Sequence, residues 1–291
     1  MTPKVSIGLP VYNGERFIEE ALESILAQEF GDFELIISDN ASEDGTRDIC
    51  QRYARRDGRI RLSRFGRNRG GAGNYTHVFS LASGRYFKWA AHDDTLAPSY
   101  LRLCTEALDG APPDVVLVYP RTILIDAEGA KLREYPDNMD LRYARPSQRF
   151  RHVIRRMHEP HPLFGLIRSD ALRRTRLMGH HFRSDCVLVE ELALLGQFRE
   201  VPEPLFYRRM HPDMCCRANP TAKQQAAWFD PRNKSRRVLP WCRLALEHVK
   251  AARYVPMPAA ERRRCYAVIA EDVVRRSGKR MAAELLTALS R

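Results

Sequence analysis

The amino-acid sequence predicts an α/β fold: a doubly wound, mostly parallel, Rossmann-like sheet with a helical extension at the C-terminus. Short apolar runs of strand length alternate with segments of about ten residues whose apolar positions recur at helical spacing, the pattern of parallel strands joined by crossover helices. The runs end in polar, loop-forming clusters, placed where an open α/β sheet presents its ligand crevice. With 291 residues and 44% hydrophobic composition, the chain is long enough for one domain of roughly 200 to 250 residues and a further segment.

VSIGLPVYNG (Val5 to Gly14) is an apolar strand broken by Pro10 and closed by the turn pair Asn13-Gly14. Phe17, Ile18, Ala21, Leu22, Ile25 and Leu26 then form one face of a helix. FELIISDNASEDGT (Phe33 to Thr46) repeats the unit: a strand ending at Asp39-Asn40, a polar loop, and a helix from Thr46 to Arg56. Ile60 to Arg64 is a third strand and Gly73 to Ser83 a third helix. Tyr86 to Ala91 is a buried strand that stops at His92-Asp93-Asp94, after which Thr95 and Pro98 open a helix. Val115 to Tyr119 is the fifth apolar run. Arg121 to Arg145 is polar and turns back on itself around Asp126 to Gly129. Pro160 to Arg174 reads as a strand through Phe164-Gly165 and a helix capped by Ser169. Ser184-Asp185 starts a helix that ends at Gly196.

The net charge of +12 is unevenly placed, with 19 Lys and Arg against 7 Asp and Glu from Arg208 onward and 29 of each before it. A basic tail on a neutral domain suits an anionic partner, lipid headgroups or nucleic acid, and equally suits a solvated set of charged helices. The seven cysteines, Cys50, Cys104, Cys186, Cys215, Cys216, Cys242 and Cys265, are odd in number and lack metal-ligand spacing, as expected of reduced thiols. The N-terminus enters its first strand by Val5 without a charged-then-apolar leader, and no apolar run reaches the ~18 to 20 residues of a bilayer span. The expected location is the cytoplasm or the cytoplasmic face of a membrane.

The loops at the strand ends carry the chemistry. The first offers Pro10, Tyr12 and Asn13; the second Asp39, Asn40, Ser42 and Asp44; the third Arg67, Asn68 and Gly70 to Asn74; the fourth Asp93 and Asp94. A tyrosine ring stacks on a base, an aspartate accepts from base or ribose, and arginine with a glycine-rich turn favours phosphate. Each also has a structural reading, as core wall, turn residue or helix cap. Adjacent carboxylates at the mouth of an apolar strand need solvent, a cation or hydrogen-bond donors; Asp94 also suits the N-cap of a helix beginning near Ala97. The absence of a GxGxxG fingerprint after the first strand argues against a dehydrogenase.

VSIGLPVYNGERFIEEALESILAQEFGDFELIISDNASEDGT and NRGGAGNYTHVFSLASGRYFKWAAHDDTLAPSYL resemble the family 2 inverting glycosyltransferases of GT-A fold, and the similarity extends from about Lys4 to His211. The resemblance implies a nucleoside-diphosphate-sugar donor, UDP-linked foremost, a Mn2+ or Mg2+ cofactor, and transfer with inversion to a saccharide or lipid-linked hydroxyl in cell-envelope polysaccharide or glycolipid synthesis. Carried over by position, Pro10, Tyr12 and Asp39 hold base and ribose, with Asn13, Arg67 and Asn74 on the same loops. Asp93 then faces the ribose and Asp94 the metal. Ala91 stands where the family often has a further Asp. In the second signature the general base falls on Asp185; Ser184 replaces the acid usually before it, leaving Glu190 and Glu191 as lesser candidates. Tyr207 to His211 resembles the family's closing Arg-x-His, with Arg209 offsetting diphosphate charge and His211 completing the metal site. The implied division is 1–211 as the glycosyltransferase domain, 1–119 its donor half and 120–211 its acceptor half, and 212–291 as the basic extension.

In the extension, Trp228-Phe229, Val238-Leu239, Trp241, Leu244, Leu246 and Val249 interleave with Arg232, Lys234, Arg236, Arg237, Arg243 and Lys250. This pattern suits a basic amphipathic helix on a membrane, or helices that pack on the domain and expose their charges. Two rival classes fit less well. A nucleotidyltransferase calls for a phosphate-binding loop straight after the first strand, where LPVYNGERF stands. A nucleic-acid-binding protein leaves the acidic crevice loops of a neutral domain unexplained, so no nucleic-acid partner is expected.

Overall fold

The computed structural model describes residues 2–236 and 238–289, with Cys216 by its backbone alone, so Arg237 and the Cys216 side chain lie outside the described residues. Strands β1 (Val5–Val11), β2 (Phe33–Asp39) and β4 (Tyr86–Trp89) are buried at every position. Burial on both faces is why they read as continuous apolar runs and not as alternating ones. Helices α1 (Ile18–Leu26) and α2 (Thr46–Arg56) cross between them, α1 burying Ile18, Ala21, Leu22 and Ile25 along one stripe. β3 (Ile60–Arg64) and α3 (Gly70–Ser80) complete this half. Helix α3 starts three residues before the expected Gly73, because the Asn68 carboxamide oxygen accepts the Gly70 N–H at 2.7 Å and glycine tolerates the local φ of +78°.

The helix expected from Thr95 begins instead at Tyr100 (α4, Tyr100–Asp109). Thr95–Leu96 form a two-residue strand, β5, antiparallel to β9 (Gln197–Arg209), with Thr95 opposite Tyr207. The fifth apolar run extends well beyond Tyr119 as β6 (Val115–Ile125), and it turns at Asp126 to Gly129 into β7 (Lys131–Tyr135). After α5 (Pro146–Arg156), His161–Phe164 form a 3-10 turn, not strand, before β8 (Leu166–Arg168) and α6 (Ser169–Arg173). Ser169 does not cap that helix; its hydroxyl donates to the Gly84 carbonyl at 2.7 Å. Helix α7 (Ser184–Leu195) stops at Gly196 as expected.

Among the described residues the nine strands form one mostly parallel sheet in the order β3-β2-β1-β4-β8-β6-β9-β5, with β7 beside β6. β8 runs antiparallel between β4 and β6. β1 to β4 are parallel to one another, so their carboxyl ends open together.

The extension packs on this frame as α8 (Cys215–Ala218), α9 (Ala222–Phe229), α10 (Pro240–Tyr254), α11 (Ala259–Asp272), a π-helical stretch Val273–Ser277 and α12 (Gly278–Leu289). Thr221 and Gln224 close a reciprocal capping box at the start of α9. A side chain on Gly71 would meet the Trp228 ring at 2.4 Å, and one on Gly70 the Phe229 carbonyl at 2.5 Å. These glycines let α9 lie on α3. Phe229 and Leu244 are buried and Trp241 packs edge-on against Phe182, so the 228–249 stretch is not one amphipathic face. Of its apolar residues Leu246 and Val249 are exposed. Burial pushes the Cys50 and Cys104 thiols up to about 12, as inert core groups. No helix among the described residues is long and apolar enough to cross a membrane.

Candidate functional site

A cleft of about 830 Å³ opens at the carboxyl ends of the parallel strands, walled by the first strand loops, the start of α7 and residues of the extension from Asp213 to Lys234. The donor-side loops are tied to one another. Asn13, at φ +51°, donates its N–H to Ser42 Oγ and accepts the Glu43 N–H, both at 2.9 Å. Asn74 reaches from α3 to donate to the Val11 and Ser38 carbonyls, and its Oδ1 is buried without a partner among the described residues. Pro10, Asn13 and Asn74 all line the cleft, as does Tyr12, whose ring is 39% exposed and free to stack.

Two donor-side expectations fall elsewhere. Asp39 is 1% exposed and off the cleft wall, its carboxylate taken by the Ser42 N–H at 2.8 Å and Arg64 Nε at 2.7 Å. The neighbouring Asn40 lines the cleft in its place, accepting the Arg69 N–H. Arg67 is exposed outside the cleft.

The acidic pair divides. Asp93 lines the cleft, with its Oδ2 3.0 Å from His211 Nε2. Asp94 is turned away from it: one oxygen accepts the Arg209 backbone N–H and the other Arg208 Nη1, both at 2.9 Å. It therefore caps no helix, and it fixes β9 against the strand end. Burial works to raise the Asp93 carboxyl, but His92, the His211 hydrogen bond and Arg208 outweigh it and hold the group below its ordinary range. Burial and the adjacent Asp93 charge push Asp94 up, against the pull of Arg208.

Arg209, expected at the diphosphate, is 1% exposed and donates to the Asp93 and Ala127 carbonyls while pairing with Glu20. Its neighbour Arg208 faces the cleft. Alternation along a strand sends adjacent side chains to opposite faces, and the register against β6, Leu124 opposite Arg208 and Ile125 opposite Arg209, decides which is which.

Among the described residues no group of three or more His, Cys, Asp or Glu side chains is arranged to hold a metal ion. The Asp93 and His211 pair nevertheless suits a shared cation. In this structure the two are hydrogen-bonded to each other at 3.0 Å, and carboxylate and imidazole are both metal-ligating groups. His211 packs on Phe17 at 4.6 Å, and its Nδ1 is buried with no hydrogen-bond partner among the described residues.

Asp185 lines the cleft at the start of α7, half-buried, its Oδ1 accepting the Cys186 N–H at 2.8 Å. Arg183, in the left-handed region at φ +56°, precedes it on the same wall. Glu190 and Glu191 do not reach the cleft. Glu190 pairs with His248 at 2.8 Å and Glu191 with Arg176 at 2.5 Å, both beneath the extension. Among the cleft residues, Asn40 was on the second loop the sequence offered, whereas Arg208, His161 and α8 were given no role by it; His-Pro at 161–162 was a visible signal.

A model of the family described as glycosyl transferase family 2 matches residues 6–180. TuaG of Bacillus subtilis, a glycosyltransferase provisionally assigned to teichuronic acid biosynthesis, is 32% identical over 141 residues, 43% of this chain and 56% of that protein. The B. subtilis glycosyltransferase EpsE is 40% identical over 100 residues, 34% of this chain and 36% of that one. The chain thus spans about half the length, or less, of these curated relatives. Among solved structures, S. aureus TarS 1-349 in complex with UDP-GlcNAc superposes with a TM-score of 0.67 at 17% identity, over 94% of this chain and 73% of that one. The mannosyltransferase PcManGT from Pyrobaculum calidifontis, in complex with GDP-Man and Mn2+, gives 0.56 at 19% identity over 100% and 80%.

Proposed function

The chain belongs to glycosyl transferase family 2, and from that premise we propose that it moves a sugar from a nucleoside-diphosphate sugar, UDP-linked, to a hydroxyl acceptor with inversion. The observation that carries the reading is the Asp93 and His211 pair, set in a cleft beside an exposed Tyr12 at the carboxyl ends of the parallel strands. Tyr12 stacks on the base while Asn13 and Asn74 shape its floor. Asp93 and His211 would hold a Mn2+ or Mg2+ ion, which when bound would supply positive charge against the departing diphosphate. Arg208, on the same wall, adds a fixed positive charge to that task. Asp185 accepts the proton of the acceptor hydroxyl as its oxygen attacks the anomeric carbon from the face opposite the diphosphate, a role worth ~10² to 10⁴ in rate. No covalent sugar-enzyme step is needed.

The nucleotide-sugar complexes of TarS and PcManGT support a donor of this class, and the teichuronic acid assignment of TuaG supports an acceptor in cell-envelope polysaccharide. A thermal-shift screen of UDP-, GDP- and dTDP-sugars with and without Mn2+ tests the reading. A donor at 100 times its Kd stabilises by about 2.7 kcal/mol, and Asp93→Ala removes the Mn2+-dependent part. A parent protein unmoved by every donor contradicts the proposal.

The chain works on the cytoplasmic face of a membrane, touching anionic lipid through α12. Leu285, Leu286 and Leu289 are exposed there, and Arg275, Arg276 and Lys279 precede them in the chain. Vesicle binding that weakens as salt rises is the expected outcome; binding indifferent to salt, or none, removes this contact.

A further inference from the structure

His161 is buried at 5% exposure in the 3-10 turn that lines the acceptor side of the cleft, and the mechanism above leaves it unused. Its surroundings fix it closely. Nδ1 lies 2.8 Å from Asp137 Oδ1, and the second oxygen of that buried carboxylate accepts from Thr122 Oγ1 at 2.7 Å. The Tyr135 ring meets the imidazole edge-on at 4.7 Å, and Phe206 closes the other side at 6.2 Å. The turn itself is pinned, because Lys88 Nζ and Tyr100 Oη both donate to the Phe164 carbonyl at 2.6 Å.

A carboxylate only accepts hydrogen bonds, so Nδ1 carries a hydrogen, and in the neutral imidazole Nε2 is then the acceptor nitrogen. Nε2 has no partner among the described residues, nor is it one of the fully buried orphan atoms. A histidine locked into one tautomer by a buried carboxylate and a threonine, with its remaining nitrogen on a cleft wall, is built to accept a hydrogen bond from something in that cleft. Phe164, three residues on, lines the same wall and stacks on Phe206 at 5.6 Å, offering an apolar face beside it.

We propose that His161 is a specificity-determining residue of the acceptor subsite: Nε2 accepts a hydrogen bond from a second hydroxyl of the acceptor, beside the hydroxyl that Asp185 activates. The acceptor is then a polyol, a saccharide ring or alditol whose C–H face lies on Phe164, and not an isolated alcohol such as a serine side chain or a prenol. Asp137 is the positioning residue that holds the tautomer. The inference rests on the sugar-transfer reading.

The test uses the full chain with ¹⁵N-labelled imidazoles, saturated with UDP and Mn2+, the His161 signals being assigned by their loss in His161→Gln. The probes are methyl glucoside, methyl galactoside, methyl N-acetylglucosaminide and ribitol, against N-acetylserinamide and a short prenol. At least one polyol is expected to shift the Nε2 resonance and leave Nδ1 in place, while the single alcohols shift neither. His161→Ala is expected to weaken polyol binding about tenfold, His161→Gln to restore part of it through its amide oxygen, and UDP affinity to hold in both. A His161 signal unmoved by every polyol, equal shifts from the single alcohols, or parental polyol affinity in His161→Ala overturns the proposal. The shift in the parent decides even where the alanine variant fails to fold. Failure of the parent to bind any nucleoside diphosphate defeats the transfer reading instead, and titration of the polyols without nucleotide then decides the His161 contact by itself.

Discussion

The two walls of the cleft are built by different means. On the donor side, parallel strands β1, β2 and β4 end together, and the loops beyond them are stitched by short hydrogen bonds between side chains and neighbouring backbone, with Asn13, Asn40 and Asn74 at the junctions. On the acceptor side, the 3-10 turn is pinned by Lys88 and Tyr100, and α7 is held from behind by buried charge. Arg176 bridges Glu191 and Glu247, and His248 meets Glu190, so the wall depends on α10 of the extension. A site of this kind divides its labour: the donor wall is a property of the sheet, and the acceptor wall depends in addition on how the last 80 or so residues dock behind α7.

Breaking the buried charges should separate the two walls most sharply. Glu191 is 1% exposed, and Glu191→Ala leaves Arg176 half-compensated beneath the extension, a change expected to cost about 3 to 5 kcal/mol. Urea unfolding followed by the fluorescence of Trp228 and Trp241 reports it. The extension should loosen ahead of the sheet, and a single coincident transition of unchanged midpoint would show that the acceptor wall stands without this pair.

Asp185→Asn sharpens the comparison at the level of chemistry. The amide keeps the carboxylate's shape but takes no proton at neutral pH, so transfer should fall by ~10² or more, at least about 2.7 kcal/mol of transition-state stabilisation. Donor affinity should hold, because the base and diphosphate contacts proposed above, Tyr12, Asp93, Arg208 and His211, lie on elements other than α7. Transfer within a few-fold of the parent would remove Asp185 from the reaction, and loss of donor binding as well would make it a structural residue of the α7 start.

Much of the donor wall was legible because its elements are local. Apolar runs buried on both faces announce parallel strands, and the crevice follows from where those strands end. What failed was orientation within adjacent pairs. Asp93 and Asp94 differ only in which way a two-residue step turns, and Arg208 and Arg209 only in the register of β9 against β6. Asp39 carries the chemistry of a ligand contact, but Arg64, 25 residues on, occupies it. The acceptor wall was less legible still. His161 meets Asp137 across 24 residues, Glu190 meets His248 across 58, and Trp228 meets Gly71 across 157. Composition showed the extension as basic; its service as a cleft wall depends on packing partners that no local pattern reveals.

Lys88 joins the two walls and gives the smallest and most specific test. It sits on β4 of the donor half, fully buried, yet its Nζ donates to Phe164 on the acceptor turn and lies 4.4 Å over the Tyr100 ring, with no carboxylate hydrogen-bonded to it. Burial pushes its ammonium down to about 7 from the ordinary 10.5. The unfolded chain therefore binds a proton between those two pH values that the folded chain has released, so this group makes stability rise with pH across that window. Below pH 7 both states carry the charge, and the cost of burying it is felt in full. Lys88→Met keeps the volume and removes the titration; Tyr100 still donates to the Phe164 carbonyl. Stability at pH 7 should change by about 1 kcal/mol or less, since the lost hydrogen bonds offset the relieved desolvation. The difference in unfolding free energy between parent and variant, measured from pH 7 to 10, should move steadily in the parent's favour, because groups common to both cancel. A difference independent of pH would mean that Lys88 stays charged in the fold, held by the Phe164 and Trp89 carbonyls and the Tyr100 ring.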